Sequence, residues 1–212
     1  SRADVDVTNR PVTLRTNALS VGQVSVASAR AVLPQSASVD AAWPVSACGC
    51  DTLGEIPGSR WVLNETTAPM ALRVPAMQYG GFLTSAVLFD NGFFGISPAE
   101  AAVVDPLQRM LLEHAYSALH GAGHDKGSLM GGCLGSFVGT WQSEYAQLLH
   151  MSSASKSVYA VTASICSALP GRLSYVLGLQ GPCVSIDTAC SSALVASHGG
   201  LRAVQLSECD ET

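Results

Sequence analysis

The chain has 212 residues, enough for one sizeable α/β domain but not comfortably for two. Apolar residues make up 48% of it and charged residues only 13%, so a large fraction must be buried in a core or an interface. The net charge of −5 argues against a nucleic-acid partner. No apolar run approaches the roughly 20 residues that a membrane-spanning helix needs.

The cysteines indicate a reducing environment. There are seven, an odd number without the spacing of a disulfide framework. Cys48 and Cys50 form the only close pair, and no second pair completes a metal site, so we expect neither a metal nor another cofactor. We therefore expect an intracellular location, with the cytoplasm and an organelle such as a plastid both open. The sequence begins with Ser1, which suggests processing or trimming, and its first segment lacks a signal-peptide core.

The first part of the chain is polar and then alternating. Residues 1–22 are mixed in character without a clear period, and we interpret them as an N-terminal arm, with one domain over residues 23–212. Val24–Ala27 alternates and predicts a strand. Further on, Ser97 with Pro98 and Glu100 predicts a helix start with a capping box.

A stronger helix is predicted from Asp105-Pro106 to Gly121. Its apolar period predicts a buried face made of Leu107, Met110, Leu111, His114, Ala115 and Ala118. We interpret His114 as a half-buried helix residue rather than a catalytic base.

Strands and helices then alternate. Leu134–Val138 predicts a strand, Ser143–His150 a short helix, and Ala168–Leu177 a further helix that tolerates Pro170 in its first turn. This alternation, without a long β meander, is typical of an α/β fold with a largely parallel sheet.

The stretch Gly181–Ala193 carries the candidate chemistry. Cys183–Ile186 predicts a short buried strand, and from Ala193 the pattern becomes helical. Cys190 therefore lies on a tight strand-to-helix turn near the positive end of a helix dipole, which favours the thiolate. The pattern alone leaves two interpretations open: a nucleophile, or a buried cysteine acting as a small hydrophobic residue.

This stretch also resembles a known family. Asp187–Ser192, reading D-T-A-C-S-S, is similar to the active-site signature of β-ketoacyl synthases, the condensing domains of polyketide and fatty acid synthases. Asp105–Glu113 and Pro170–Pro182 match the same family. The resemblance implies an α/β fold that is the N-terminal half of a thiolase-like fold, a mostly parallel mixed sheet with helices on both faces.

The resemblance also implies a chemistry. In the family, the residue matching Cys190 accepts an acyl chain as a thioester and passes it to a carbanion made by decarboxylating a malonyl-type extender. Two histidines and a backbone oxyanion donor come from the family's second half. None of the five histidines here matches them: His114, His120, His124, His150 and His198. We therefore expect a half domain that carries the acyl-accepting cysteine but cannot condense acyl and malonyl thioesters alone.

Two function classes remain from the sequence. In the first, the chain works with a complementing half and binds an acyl thioester or an acyl carrier protein. In the second, it is a non-catalytic structural subunit packed into a larger complex, in an organelle for instance. Either class predicts association with another protein or with a second copy. The Cys190 helix (Leu194, Leu201 and Val204) and the earlier helix (Leu107, Met110 and Leu111) have more apolar surface between them than one exposed side should carry.

Overall fold

The computed structural model describes residues 24–34, 39–58, 60, 78–83, 86–141, 143–163 and 165–212, without the side chains of residues 39–41. The chain divides into two compact units, one formed by Ser1–Ala29 with Phe89–Thr212 and the other by Arg30–Leu88. The predicted arm over residues 1–22 lies outside the described residues, so its boundary stays a prediction.

The smaller unit contains one helix and one antiparallel strand pair among its described residues. Helix α1 covers Val39–Ala47. Strands β1 (Gly54–Glu55) and β2 (Tyr79–Gly80) pair antiparallel.

The larger unit holds the remaining elements. Its described helices and strands are, in chain order, α2 (Pro98–Ala101), α3 (Pro106–Gly121), α4 (Lys126–Leu129), β3 (Ser136–Gly139), α5 (Tyr145–Met151), α6 (Ala160–Ala163), α7 (Ala168–Leu177), β4 (Cys183–Ile186) and α8 (Ser192–Gln205). Short 3₁₀ turns lie at Ser153–Lys156 and Ala189–Ser191. No helix in the described part of the chain has the length and apolar character that crossing a membrane requires.

Strands β3 and β4 pair in parallel, from Ser136 opposite Cys183 to Gly139 opposite Ile186. On one face of β3, Phe137 and Gly139 lie close to α8. On the other face, Val138 shares a groove with Leu169 of α7. Parallel strands between helices on both faces confirm the predicted fold class.

The predicted helix starts are confirmed, with one difference. Asp105 caps α3 by accepting a hydrogen bond from the Leu107 amide at 2.7 Å. Ser97 caps α2 in the same way, with the Glu100 amide as donor at 3.2 Å. The carboxylate of Glu100, however, pairs with Arg172 of α7, and it makes no return bond to Ser97. The ion pair with Arg172 therefore takes the place of the hydrogen bond from the Ser97 amide to Glu100 that would complete the capping box.

The main core joins α3, α4 and α7. Its buried members are Phe94, Ile96, Leu112, Leu129, Leu134, Leu173, Leu177 and Leu179. Within α3 only Gln108 and Leu112 are buried. The face predicted from Leu107 to Ala118 is therefore only partly the core face, since Ala115 packs against this core but Leu107 is 48% exposed. The apolar stripe of α3 is wider than the part of the helix that the core covers. Periodicity alone does not identify which side of the stripe is buried.

Two strand predictions also need correction. Val24–Ala27 forms no strand in the described residues, since only Ser25 takes part in a bridge. Strand β4 forms where predicted, but it is not buried: Cys183 and Val184 are exposed. In the described sheet β4 is paired along one edge only, with β3. Its other edge is uncovered, which explains the exposure.

The contact between β3 and α8 gives a stability prediction. A Cβ added at Gly139 would lie 2.6 Å from the Ala193 nitrogen and from the Ser192 carbonyl carbon. Because both are backbone atoms, Gly139→Ala should lower the free energy of unfolding by about 1–3 kcal/mol. Gly171 in α7 has open space around it, so Gly171→Ala should raise stability by about 0.5–1 kcal/mol. Urea unfolding of both variants checks this; a Gly139→Ala protein as stable as wild type would contradict it.

Candidate active site

Cys190 lies in the connection from β4 to α8, as the sequence predicts. Strand β4 ends at Ile186, the 3₁₀ turn covers Ala189–Ser191, and α8 begins at Ser192. Cys190 is exposed. Its thiol makes no hydrogen bond to any of the described residues. The sulfur is therefore accessible to a reagent from solvent, and the interpretation as a buried hydrophobic cysteine is wrong.

The turn itself is held by side-chain hydrogen bonds. The Asp187 carboxylate accepts from the Ala189 amide at 3.1 Å. The Ser191 hydroxyl donates to the Thr188 carbonyl oxygen at 2.8 Å. The Ser192 hydroxyl accepts from the Thr188 amide at 2.8 Å. Asp, Ser and Thr favour such local bonds to the backbone, so the composition of the signature itself builds the turn.

Backbone packing places this turn on the sheet. Because Gly139 has no side chain, the first residues of α8 lie directly against the end of β3. On the β4 side, the Ser185 hydroxyl donates to the Cys166 carbonyl oxygen at 2.8 Å. The turn that carries Cys190 thus projects from the carboxyl end of a parallel strand pair, where α/β folds commonly have their sites.

Exposure alone does not distinguish Cys190 among the cysteines. All seven are free, and the exposed ones besides Cys190 are Cys48, Cys50, Cys133 and Cys183. Cys209 is buried, and burial raises the pKa of its thiol. What sets Cys190 apart is its place one turn before a helix of 14 residues. The partial positive charge of a helix N-terminus favours a nearby anion.

No histidine hydrogen-bonds to Cys190 among the described residues. His114 is half-buried on α3, as predicted, and lines a groove. His124 pairs with Glu211 at 2.8 Å, and His198 is exposed on α8. None of them hydrogen-bonds to the thiol. The described residues also contain no cluster of His, Cys, Asp or Glu that could hold a metal ion.

Sequence reasoning missed a groove of about 780 Å³ beside α3. Its lining residues include Leu107, Met110 and Leu111 of α3, Trp141 after β3, and Leu148 of α5. The signal is the apolar stripe of α3, from which the sequence predicts a buried face and surplus apolar surface but not a groove. The stripe lines an open surface, as the 64% exposure of Trp141 and of Leu148 indicates.

Comparison with known proteins agrees with this geometry. The family model described as "Beta-ketoacyl synthase, N-terminal domain" matches residues 22–211. The phenolphthiocerol synthesis polyketide synthase type I Pks15/1 of Mycobacterium bovis is 40% identical over 174 residues, 81% of this chain and 8% of that protein. The pikromycin polyketide synthase component PikAII of Streptomyces venezuelae is 42% identical over 176 residues, 82% of this chain and 5% of that protein.

Solved structures give the same answer. A ketosynthase from module 6 of the bacillaene synthase of Bacillus subtilis superposes with a TM-score of 0.69 at 27% identity, covering 87% of this chain and 30% of that one. The chain thus spans under a third of that ketosynthase and under a tenth of the two polyketide synthases. With a family model matched from residue 22 to residue 211, the chain belongs to the β-ketoacyl synthase family and contains the N-terminal part of a thiolase-like ketosynthase.

Proposed function

We propose that Cys190 is the nucleophile that accepts an acyl group from an acyl thioester, free or on an acyl carrier protein. The observation that carries this proposal is an exposed thiol, without a hydrogen-bond partner among the described residues, on the turn that enters α8. The sulfur attacks the thioester carbonyl carbon, a new C–S bond forms, and the old C–S bond breaks. The departing thiol takes up the proton that Cys190 loses.

Two features of the turn support this step. The 14-residue helix α8 begins two residues after Cys190, and the partial positive charge of a helix N-terminus favours a nearby anion. The Cys190 amide has no backbone partner in the described chain. An unpaired N–H beside the attacking sulfur can donate to the oxygen that becomes negative in the tetrahedral intermediate.

We further propose that the 212-residue chain does not complete a decarboxylative condensation alone. That reaction needs a group within hydrogen-bond reach of the substrate to manage the developing charge. None of the five histidines lies in hydrogen-bond contact with Cys190 in the described residues. A complementing part of the ketosynthase fold would supply those groups, in the same protein or in another subunit. Seven free cysteines suit a reducing compartment for this assembly.

A second candidate is a structural subunit derived from a ketosynthase and catalytically idle. The observation that favours it is exposed apolar surface: Leu194 is 75% exposed, Tyr175 87% and Met151 88%. Large uncovered apolar side chains on one molecule commonly mark a surface that binds another protein. Both candidates therefore imply association, with a complementing half, a further subunit or a second copy.

The nucleophile assignment predicts selective acylation. With an acyl-N-acetylcysteamine thioester at neutral pH, Cys190 should be acylated before the other six cysteines, and Cys190→Ser should abolish that adduct. Cys183→Ser is the matched control, because Cys183 is also an exposed cysteine, at the start of β4. Burial raises the pKa of the Cys209 thiol, so Cys209 should be labelled last. Peptide mapping by mass spectrometry reads the result; acylation elsewhere with Cys190 untouched would refute the assignment.

The second proposal predicts no turnover. Purified chain given an acyl thioester and a malonyl thioester should accumulate acylated Cys190 and release no 3-ketoacyl product above background. Removing groups that act as a unit generally lowers a rate by orders of magnitude. Chromatography coupled to mass spectrometry detects the product. Robust condensation by the 212-residue chain would show that a base had been overlooked.

The exposed apolar surface predicts association. Sedimentation velocity should give a mass above that of one chain, with more than about 1,000 Å² buried in the contact. Leu194→Asp should weaken the association, because it places a charge on α8 where Leu194 is 75% exposed. Ser197→Asp, an exposed position on the same helix, tests whether the charge alone is responsible. A stable monomer at all concentrations would contradict this prediction.

A further inference from the structure

The Ser192 hydroxyl bonds to the turn on both sides of Cys190. It accepts a hydrogen bond from the Thr188 amide at 2.8 Å and donates one to the Ala189 carbonyl oxygen at 2.8 Å. The Ser192 residue is only 6% exposed, so these bonds are largely shielded from water. The Ser192 backbone N–H also donates to the Ala189 carbonyl oxygen. The hydroxyl and the backbone of this one residue therefore together tie the segment before Cys190 to the first turn of α8.

One of these bonds acts on the peptide group that contains the Cys190 amide. The Ala189 carbonyl and the Cys190 N–H belong to the same planar unit, in which the two groups point in opposite directions. Fixing the carbonyl therefore fixes the direction of the N–H. That N–H has no backbone partner in the described chain, so it remains available to a substrate oxygen.

The backbone at this point is also strained. Ala189 has a φ of 55°, in the left-handed region that an L-alanine disfavours. Such a conformation persists only where the surrounding contacts hold it. Here the Ala189 amide donates to the Asp187 carboxylate, and the Ala189 carbonyl oxygen accepts from the Ser192 hydroxyl.

The neighbouring serine makes a different set of contacts. The Ser191 hydroxyl donates to the Thr188 carbonyl oxygen at 2.8 Å and lies 2.9 Å from the Thr188 hydroxyl. It is exposed, and neither contact involves the peptide that joins Ala189 to Cys190. Of the two serines after the cysteine, Ser192 alone bonds to that peptide.

We infer that Ser192 is a positioning residue: its hydroxyl orients the Cys190 N–H to bind the thioester oxygen as Cys190 attacks. This rests on the proposed function of Cys190. As the sulfur bonds to the carbonyl carbon, the oxygen gains negative charge and the oriented N–H stabilises it. Collapse of the intermediate then expels the thiol of the substrate, which carries away the proton from Cys190.

The experiment compares two reactions of the same thiol in the 212-residue chain. Acylation by an acyl-N-acetylcysteamine thioester develops an oxyanion, whereas alkylation by iodoacetamide does not. Ser192→Ala should slow Cys190 acylation by about tenfold, the rate equivalent of losing one hydrogen bond, and leave alkylation near the wild-type rate. Ser192→Thr keeps a hydroxyl and should recover acylation. Ser197→Ala is the control, because that hydroxyl bonds to the Ala193 carbonyl oxygen away from the turn.

Each other outcome overturns a specific claim. Equal slowing of both reactions in Ser192→Ala would mean general loosening of the turn and would overturn the inference, as would no change in either. Failure of the wild-type protein to acylate at Cys190 would instead overturn the proposed function. If circular dichroism finds Ser192→Ala unfolded, Ala189→Gly/Ser192→Ala replaces it, because glycine adopts a positive φ without strain. The same loss of acylation is expected there, and a wild-type acylation rate would overturn the inference.

Discussion

The close approach of α8 to β3 is the constraint on which the site depends. The residues of α8 that are buried are all small: Ser192, Ala196, Gly200 and Ala203. Small side chains let a helix backbone come near a sheet, and Gly139 allows backbone-to-backbone contact at the helix start. Since Cys190 lies two residues before that start, the packing of α8 on β3 also determines where the thiol is. A larger residue on either side of this contact would move the nucleophile and not merely loosen the core.

A buried polar network holds the helices on the other face. Gln108 of α3 is 1% exposed. Its amide nitrogen donates to the carbonyl oxygen of Ala163 at 3.1 Å, and its amide oxygen accepts from Arg172 of α7 at 2.7 Å. Arg172 also pairs with Glu100 of α2. A partly buried charge is tolerated because its partners compensate the lost hydration, and the pairing fixes α2, α3 and α7 in a single arrangement.

The sequence predicts the helices and turns better than it predicts which of their faces are buried. Helix α7 spans Ala168–Leu177 as predicted, and the turn with Cys190 lies where the Asp187–Ser192 signature implied. Local rules decide these features, because caps, turn residues and periodicity act within a few residues. The sequence did not predict that β4 is exposed, or which side of the apolar stripe of α3 is buried. Both depend on which neighbours cover an element, and periodicity records only that a face is apolar.

The hydrogen bonds around Cys190 form an intermediate case. The residue types predict a turn. They do not predict that Ser192 is buried and bonded to both Thr188 and Ala189, or that Ser191 is exposed. From the sequence alone, either of the two adjacent serines could be the one that is buried, until the packing of α8 is known. With α8 packed on β3, Ser192 is buried and Ser191 stays exposed, so tertiary structure sets their roles.

The nucleophile lies just before α8, and this helix carries an uncovered apolar side chain. Leu194 is 75% exposed and is the third residue of α8, four residues after Cys190 in the chain. A protein that covers Leu194 therefore borders the thiol. Association and access of an acyl thioester cannot be independent, because they use adjoining parts of one surface. The two candidate functions thus differ in a physical property of the partner: a complementing half leaves an opening at Cys190 and brings a base to it, whereas a packing partner closes over it.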